Sequence, residues 1–449
     1  MEPVAIWMAL RGKRPSLRRG DEGEDVRELQ EKLASFGYPV GEIDGRFGYL
    51  TEDALMEFQR DHRLRVDGIA GPQVWAALDA GVPRRRLVHE VKPGERLADL
   101  ADRYGISPDA IRWMNGMSRR GRLVPGKRLV LRRSSVVAGV PAGLDAVGRR
   151  TLALEGKRLS AAALYGLAIG RDGAVEGAVD EGARELAREG GWPPVAALRH
   201  GEGGDLAGAL ASRRRRRRLL ASLKALTEKE GWAGFLLDVG PVPLGRGAGL
   251  SAGLAQLRRA FPRLGLAVAV APPPEGWREL ISDFDYGKLS RLADRVVLAL
   301  HRWDCLLSPS GETPRRERVE AWVARMSRAV PPWKVLLGVP MGACRIEGPG
   351  RFVEVGYRSA AAAGAAARRR PEPDENGFLR LKAGRGDARA TFVMAGRDAL
   401  TRWAALAFRY RLAGLYLHPV GQEDRRLWDV IWRRVWPAGA KSNREPGGI

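Results

Sequence analysis

The sequence predicts a multidomain chain: a small α-helical domain, a small βααβ domain, then a (β/α)8 barrel with an α+β insertion. Three observations predict this. Near the N-terminus an Asp-Gly turn motif occurs twice, 23 residues apart, each time ahead of a helix start. Next, a strand-like stretch and a returning strand bracket two short helical patterns. From about residue 134, eight apolar runs of four to six residues alternate with helix-length sequence. The length of 449 residues exceeds a single ordinary core, so two to four domains are expected.

In the first segment Ile43-Asp44-Gly45-Arg46-Phe47-Gly48 is echoed by Val66-Asp67-Gly68-Ile69-Ala70-Gly71. Asp bonds its own backbone in such turns and Gly supplies the positive φ. Thr51 reads as the N-cap of a helix over 52–60, and Pro72 sits near the first position of a helix over 73–78. An earlier helix over 25–36 places Val26, Leu29, Gln30 and Leu33 on one face. The expected core is Val26, Leu29, Leu33, Phe47, Leu55, Phe58 and Trp75. Gly20-x-x-Gly23-x-x-Val26-x-x-Leu29-Gln30, Asp44-Gly45-x-Phe47-Gly48-x-x-Thr51, Phe58-Gln59 and Asp67-Gly68-x-x-Gly71 resemble the peptidoglycan-binding domain of wall hydrolases over residues 17–80. These glycines and apolar residues read as fold-holding positions, and none is assigned a sugar contact.

After a linker over 81–86, His89-x-Val91-x-x-Gly94-Glu95-Arg96-Leu97 reads as a strand and turn. Helices over 98–104 and 107–115 follow, then a strand over 128–131. Gly94, Leu97, Ala101, Tyr104, Gly105, Ile111, Asn115, Gly126 and Leu129 match the pattern of a LysM domain, and the segment 87–132 resembles one. The resemblance implies binding of N-acetylglucosamine-containing glycan between the first strand–helix loop and the loop before the last strand. Carried over, the candidate contacts are Gly94, Glu95, Arg96 and Leu97, with Asn115 and Leu123 at the second loop. Glu95-Arg96 departs from the Asp-Thr or Asp-Ser pair usual in that family.

The eight apolar runs of the third segment, 134–437, are 136–140, 164–169, 194–198, 234–238, 266–271, 296–301, 335–340 and 414–417. Runs of this kind suit parallel strands covered on both faces, and eight favour closure over an open flavodoxin-like sheet. The long gap before the last run holds the insertion, expected over 352–394. In a closed barrel of this type the site lies at the carboxyl ends of the strands. Trp232-x-Gly234 before the fourth run, Val242-Pro243 after it, the stretch Lys334 to Pro340, and Gly421-Gln422-Glu423-Asp424 with Trp428-Asp429 resemble the TIM barrel of family 18 glycoside hydrolases, especially their spore-germination branch.

That resemblance implies a substrate-assisted reaction. One carboxylate stabilises the ring cation, and a Glu two residues further on protonates the leaving oxygen, both from the same side of the strand. Here Asp238 holds the first position, but the acid's position is Gly240, and Ala233 and Leu236 replace polar family positions. The sixth-strand Tyr-Asp pair falls at His301-Arg302, and the eighth-strand Trp that floors the cleaved sugar falls at His418. Loss of a general acid lowers a rate by roughly 10²- to 10⁴-fold. The barrel is therefore expected to be degenerate and non-hydrolytic. Asp238 reads either as a retained family carboxylate or as a leftover one paired with a nearby arginine. His301 and His418 read as polar strand-end residues in a cleft or as a retained sugar site. Glu202, Asp205, Asp304 and Glu312 fall in loops expected at the same barrel end, where a substitute acid would have to come from.

With 76 Lys and Arg against 53 Asp and Glu, the formal charge is +23, which argues for a polyanionic neighbour. The run Arg213 to Arg218 heads a helix whose apolar face is Leu219, Leu220, Leu223 and Leu226. It reads as a solvated surface or as an attachment to carboxylate- or phosphate-bearing polymer. Nucleic acid is disfavoured, because aromatic residues are not interleaved with the basic ones. Two cysteines, Cys305 and Cys344, exclude a disulfide framework, and no His pair has metal-ligand spacing, so no metal or cofactor is expected. No apolar stretch is long enough to span a membrane. Met1 to Pro15 does not read as a standard secretion signal, and residues 1–16 are expected to be a disordered leader, as residues 438–449 are a disordered tail. A mis-set start is the alternative. These features together predict a peptidoglycan- or N-acetylglucosamine-glycan-binding protein of the cell wall or the spore coat or cortex. Its rivals are an active N-acetylglucosaminidase with a non-standard acid and a basic nucleic-acid binder.

Overall fold

The computed structural model describes residues 14–435 except 36–37, 39, 41, 63, 81–86, 105–107, 109–110, 113–114, 116, 118–120, 132–134, 157–158, 202–203, 230, 241, 243–245, 273–284, 384–389 and 411. The expected leader (save residues 14–16), the linker and the tail lie outside these residues. Two compact units divide between Arg133 and Ser134.

The first unit opens with helices α1 (Glu24–Ser35), α2 (Tyr49–Asp61) and α3 (Pro72–Ala80). All seven expected core residues are 3% exposed or less. Each buried leucine or phenylalanine contributes about 1.5–3 kcal/mol against leaving it in water. The sequence repeat is a repeated hydrogen-bond device. Gln30, on α1, accepts from the Gly45 N–H at 2.9 Å through Oε1, and its Nε2 lies 3.0 Å from Asp44 Oδ1 and 3.1 Å from the Arg46 carbonyl. Gln59, on α2, accepts from the Asp67 and Gly68 N–H groups at 3.1 and 3.0 Å and donates to Asp67 Oδ1 and the Ile69 carbonyl at 2.8 and 3.0 Å. Gly45 and Gly68, at φ +75° and +72°, adopt the left-handed conformation these turns need. Thr51 is not the N-cap expected of it. The helix begins two residues earlier at Tyr49, and the Thr51 hydroxyl is buried, accepting from Gln30 Nε2 at 3.1 Å.

Strand β1 (Leu87–Glu90) pairs antiparallel with β2 (Arg128–Leu131), and α4 (Leu97–Tyr104) lies between them in sequence. The second helix of this expected βααβ domain falls largely among residues outside those described. Val91, Leu100, Ile111 and Leu129 form its small core.

In the second unit eight parallel strands close a barrel: β3 (Ser135–Val140), β4 (Ala161–Ile169), β6 (Pro194–His200), β7 (Gly234–Gly240), β8 (Gly265–Val270), β9 (Arg295–Leu298), β10 (Val335–Pro340) and β16 (Gly414–His418), with β16 returning to β3. Each of the eight apolar runs overlaps one of these strands, and the sixth, 296–301, outlasts β9 by three residues. A short antiparallel strand, β5 (Val175–Gly177), flanks β4. Outward-facing residues such as Val136, Leu198, Leu237 and Val339 pack under the outer helices in the main core, with Trp322, Trp403 and Trp428.

The insertion is larger than expected. Its antiparallel sheet comprises β11 (Ala343–Gly348), β12 (Arg351–Val355), β13 (Glu372–Pro373), β14 (Leu379–Ala383) and β15 (Ala390–Met394), with a helix at Tyr357–Ala366. It starts at Ala343, nine residues before the expected boundary. Only Met341 and Gly342 separate β10 from β11, so no turn-rich stretch marks the crossing.

Candidate functional site

Strand residues alternate between the barrel interior and the outer core. The interior carries small residues, Ala163, Ala197, Ala269 and Ala299, and the space they leave is filled from above by Tyr165 and Tyr416. The two tyrosine hydroxyls share a hydrogen bond of 2.8 Å. His301 and His418 sit beside them, the His301 ring 4.8 Å from Tyr416 and the His418 ring 4.4 Å from Tyr165. Glycines make this packing possible. A Cβ at Gly139 would stand 2.5 Å from both His418 Nδ1 and the Tyr416 hydroxyl, and one at Gly338 would stand 2.5 Å from His301 Nδ1.

Both histidines, expected from sequence as polar strand-end residues in a cleft or as a sugar site, are buried. His301 is completely buried, and neither of its ring nitrogens has a hydrogen-bond partner among the described residues. His418 is 9% exposed, and its Nδ1 lies 3.2 Å from the Gly139 carbonyl. Burial pushes both imidazoles down to about 3, helped at His301 by the neighbouring Arg302 charge and at His418 by His301. Both rings are therefore neutral near pH 7.

Asp238, at the end of β7, is 5% exposed. Its Oδ1 accepts from Arg302 Nη1 at 3.1 Å, while Arg302 Nε and Nη2 grip Asp304 at 3.0 and 2.6 Å. Of the two sequence readings for Asp238, the arginine pairing is what the geometry contains. Gly240 lies just past a bulge, since Asp238 pairs with Ala269 and Gly240 with Val270 of β8. Its φ is +59°, and a Cβ there would stand 3.1 Å from Arg302 Nη1. One guanidinium thus pairs with the Asp238 carboxylate while shared with Asp304, and it crowds the position where the acid implied by the sequence resemblance would project.

A second carboxyl group reaches this mouth from an unexpected place. Glu354, on β12 of the insertion, points its Oε2 toward His418 Nε2 at 3.9 Å, too far for a hydrogen bond. The side chain as a whole is 40% exposed, but its carboxyl end is turned toward the barrel. Burial there pushes the carboxyl up to about 7, outweighing the attraction of Arg199 and Arg302, with Asp238 and Asp304 adding to the rise. Sequence reasoning missed Glu354. The alternation of Arg351–Val355 signals a strand but gives no sign that it folds back over the barrel end. Among the acids that sequence did nominate, Asp304 joins Asp238 through Arg302, and Asp205 faces Arg246 at 3.4 Å. Glu312 donates its backbone N–H to the Ser308 hydroxyl, and Glu202 lies outside the described residues.

Other sequence candidates hold structure. His200 accepts from the Leu206 N–H at Nδ1, so its Nε2 donates to the Val239 carbonyl at 3.1 Å. Glu423 is buried, which raises its pKa, and it accepts from Trp428 Nε1 at 2.5 Å. Burial pushes the Cys344 thiol up to about 12, far from nucleophilic use. Among the described residues, no group of three or more His, Cys, Asp or Glu could hold a metal, and no helix is long and apolar enough to cross a membrane.

In the first unit, Gly94 turns the chain at φ +80°. The Glu95 carboxylate accepts the Lys92 N–H at 2.9 Å and shares a 2.6 Å hydrogen bond with His89 Nε2. Arg96 is exposed and forks onto Asp99 at 3.0 and 3.1 Å. Asn115 Nδ2 donates to the Ile111 carbonyl at 2.7 Å, and Leu97 and Leu123 pack against the small core. Of the six nominated positions, Arg96 therefore offers the most charge to solvent.

Comparison with known proteins agrees with this division. The peptidoglycan binding domain family matches residues 22–78 and the LysM domain family matches residues 89–132. The N-acetylmuramoyl-L-alanine amidase CwlM of Mycobacterium tuberculosis is 34% identical over 127 residues, 28% of this chain and 26% of that protein. The chain spans about a quarter or less of the length of the curated relatives it matches first. Among solved structures, the spore cortex-lytic enzyme SleL of Bacillus megaterium has a TM-score of 0.56 at 15% identity, covering 78% of this chain and 86% of SleL. A chitinase of Chromobacterium violaceum has a TM-score of 0.58 at 21% identity, covering 68% of this chain and 99% of that one. The chain carries a peptidoglycan binding domain and a LysM domain, followed by a closed parallel barrel that resembles in fold those of SleL and the family 18 chitinase-like proteins.

Proposed function

We propose that this protein binds peptidoglycan or a related N-acetylglucosamine-containing glycan at the cell wall or spore cortex, and that its barrel does not hydrolyse the glycan. The two N-terminal domain matches support the first half. Two weak glycan sites on one chain raise net affinity through effective concentration when both engage. The observation that carries the second half is the Arg302 guanidinium, 3.1 Å from Asp238 and equally close to the Cβ that Gly240 lacks. A cation-stabilising carboxylate works by its negative charge, and here a guanidinium shared with Asp304 already engages it. The test is pull-down of the full chain on purified peptidoglycan and spore cortex across a salt series, with the wash analysed for muropeptides by mass spectrometry. Binding without released product is expected. No binding at low salt, or product above a blank, defeats the reading.

A second reading has one specific observation in its favour. Glu354 at the barrel mouth, with a carboxyl titrating near 7, has the proton affinity suited to a general acid. On this reading the protein is an N-acetylglucosaminidase with its acid supplied by the insertion. Product released from cortex fragments, and abolished by both Glu354→Gln and Asp238→Asn, would replace the first reading with this one.

A further inference from the structure

The six arginines opening the helix Arg213–Lys229 do not share one fate. Arg216 is 8% exposed and structural, donating to Gln256 Oε1 at 2.8 Å and to the Leu210 and Ala211 carbonyls at 2.5 and 3.2 Å. Arg215 packs over the turn at Gly173. Arg218 pairs with Asp172. Arg213, Arg214 and Arg217 are exposed, with no hydrogen-bond or ion-pair partner among the described residues, and with Arg218 and Ala221 they line an open trough of about 550 Å³.

This arrangement is unfavourable for the free protein. Cations near a helix N-terminus oppose the helix dipole, and like charges four apart repel. We propose that the Arg213/Arg214/Arg217/Arg218 strip is a docking surface for a linear phosphodiester polyanion, separate from any glycan site. Residues at i, i+1, i+4 and i+5 form a strip more than one helical turn long, which suits an anion repeated along a line. The guanidinium fork suits the paired oxygens of a phosphodiester. Among the described residues the trough has no aromatic wall on which a base would stack, which favours a wall-type polymer over single-stranded nucleic acid.

The test uses the full chain and poly(glycerol phosphate), a phosphodiester chain without bases, with polyglutamate and a DNA duplex as comparison arms. One variant replaces Arg213, Arg214 and Arg217 with Gln. A second replaces the exposed Arg368, Arg369 and Arg370 with Gln, removing equal charge from another surface. The first variant is expected to lose about tenfold or more in poly(glycerol phosphate) affinity, with the slope of log K against log salt shallower by about 2. The second should change little. Equal losses in both variants would reduce the effect to net charge and overturn the proposal. Binding of polyglutamate as tight as poly(glycerol phosphate), and equally sensitive to the first variant, would overturn the assignment to phosphodiester polymer; the same result with the duplex would overturn the assignment to a wall-type polymer. Peptidoglycan pull-down by the first variant is expected to persist at moderate salt, so failure here is distinguishable from failure of the glycan reading.

Discussion

Gly240 shows how one residue type can set what a barrel mouth does. At φ +59° the backbone lies in the left-handed region, where an L side chain costs about 1–2 kcal/mol before any contact is considered. The neighbouring Arg302 Nη1, 3.1 Å from where a Cβ would stand, adds a close approach. Gly240→Ala is therefore expected to lower the unfolding free energy by about 1–2 kcal/mol, and Gly240→Asn by less, because Asn tolerates this conformation better. Chemical denaturation of the two variants against the parent measures this. Equal stability for Ala and Gly would mean that the left-handed backbone at 240 is not held in solution. The same geometry predicts that Gly240→Glu does not create a hydrolase by itself. The new carboxylate would meet a guanidinium already bound to Asp238 and Asp304 rather than a glycosidic oxygen.

At the scale of elements, the repeated Gln clamps explain why a three-helix unit of this size holds two exposed turns in place. Gln30 and Gln59 are each 1% exposed, and each satisfies backbone N–H groups of an Asp-Gly turn. Truncation leaves those donors buried without a partner, so Gln30→Ala and Gln59→Ala should each cost about 1–3 kcal/mol, with similar values because the two clamps are built alike. Denaturant unfolding of the first unit's transition checks this, and a loss confined to one of the two would show the repeat to be unequal. These turns are legible in the sequence because Asp-Gly is a local signal; the glutamines recur in the same motifs, but what they grip depends on a turn up to sixteen residues away. The barrel strands are legible for a different reason. Burial on both faces makes each a continuous apolar run. The site is less so. Asp238 and Gly240 follow from position along a strand, whereas Glu354 arrives through an insertion whose docking depends on long-range contacts. His301 and His418 carry no sequence mark of depth, since the space they occupy is made by Gly139, Gly338 and a ring of alanines on other strands.

For the whole molecule, the buried mouth groups set opposing dependences of stability on pH. His301 and His418 titrate near 6.5 when unfolded and about 3 when folded. The unfolded chain therefore binds more protons between these values, and the stability from keeping both rings neutral is full above 6.5 and lost as pH falls toward 3. Glu354 runs the other way. Its folded value of about 7 lies above its unfolded value of 4.5, so its contribution is full below 4.5 and lost as pH rises through 7. The charged groups acting on these three are Arg199, Arg302, Asp238 and Asp304. In the shared window of 4.5 to 6.5 the two effects partly cancel. Two rings against one carboxyl leave a net uptake of about one proton on unfolding, so the parent's melting temperature is expected to fall as pH drops through that window. Glu354→Gln removes the opposing contribution, so its melting temperature should fall more steeply than the parent's as pH drops from 6.5 to 4.5. Paired His301→Leu and His418→Leu substitutions remove the other contribution, and their melting temperature should instead decline as pH rises toward 7. Because all three changes lie in the barrel, differences from the parent isolate its transition from that of the N-terminal unit. Parallel pH profiles for parent and variants would show that the mouth groups are solvated in the folded state, and would remove the physical basis for a Glu354 carboxyl titrating near 7.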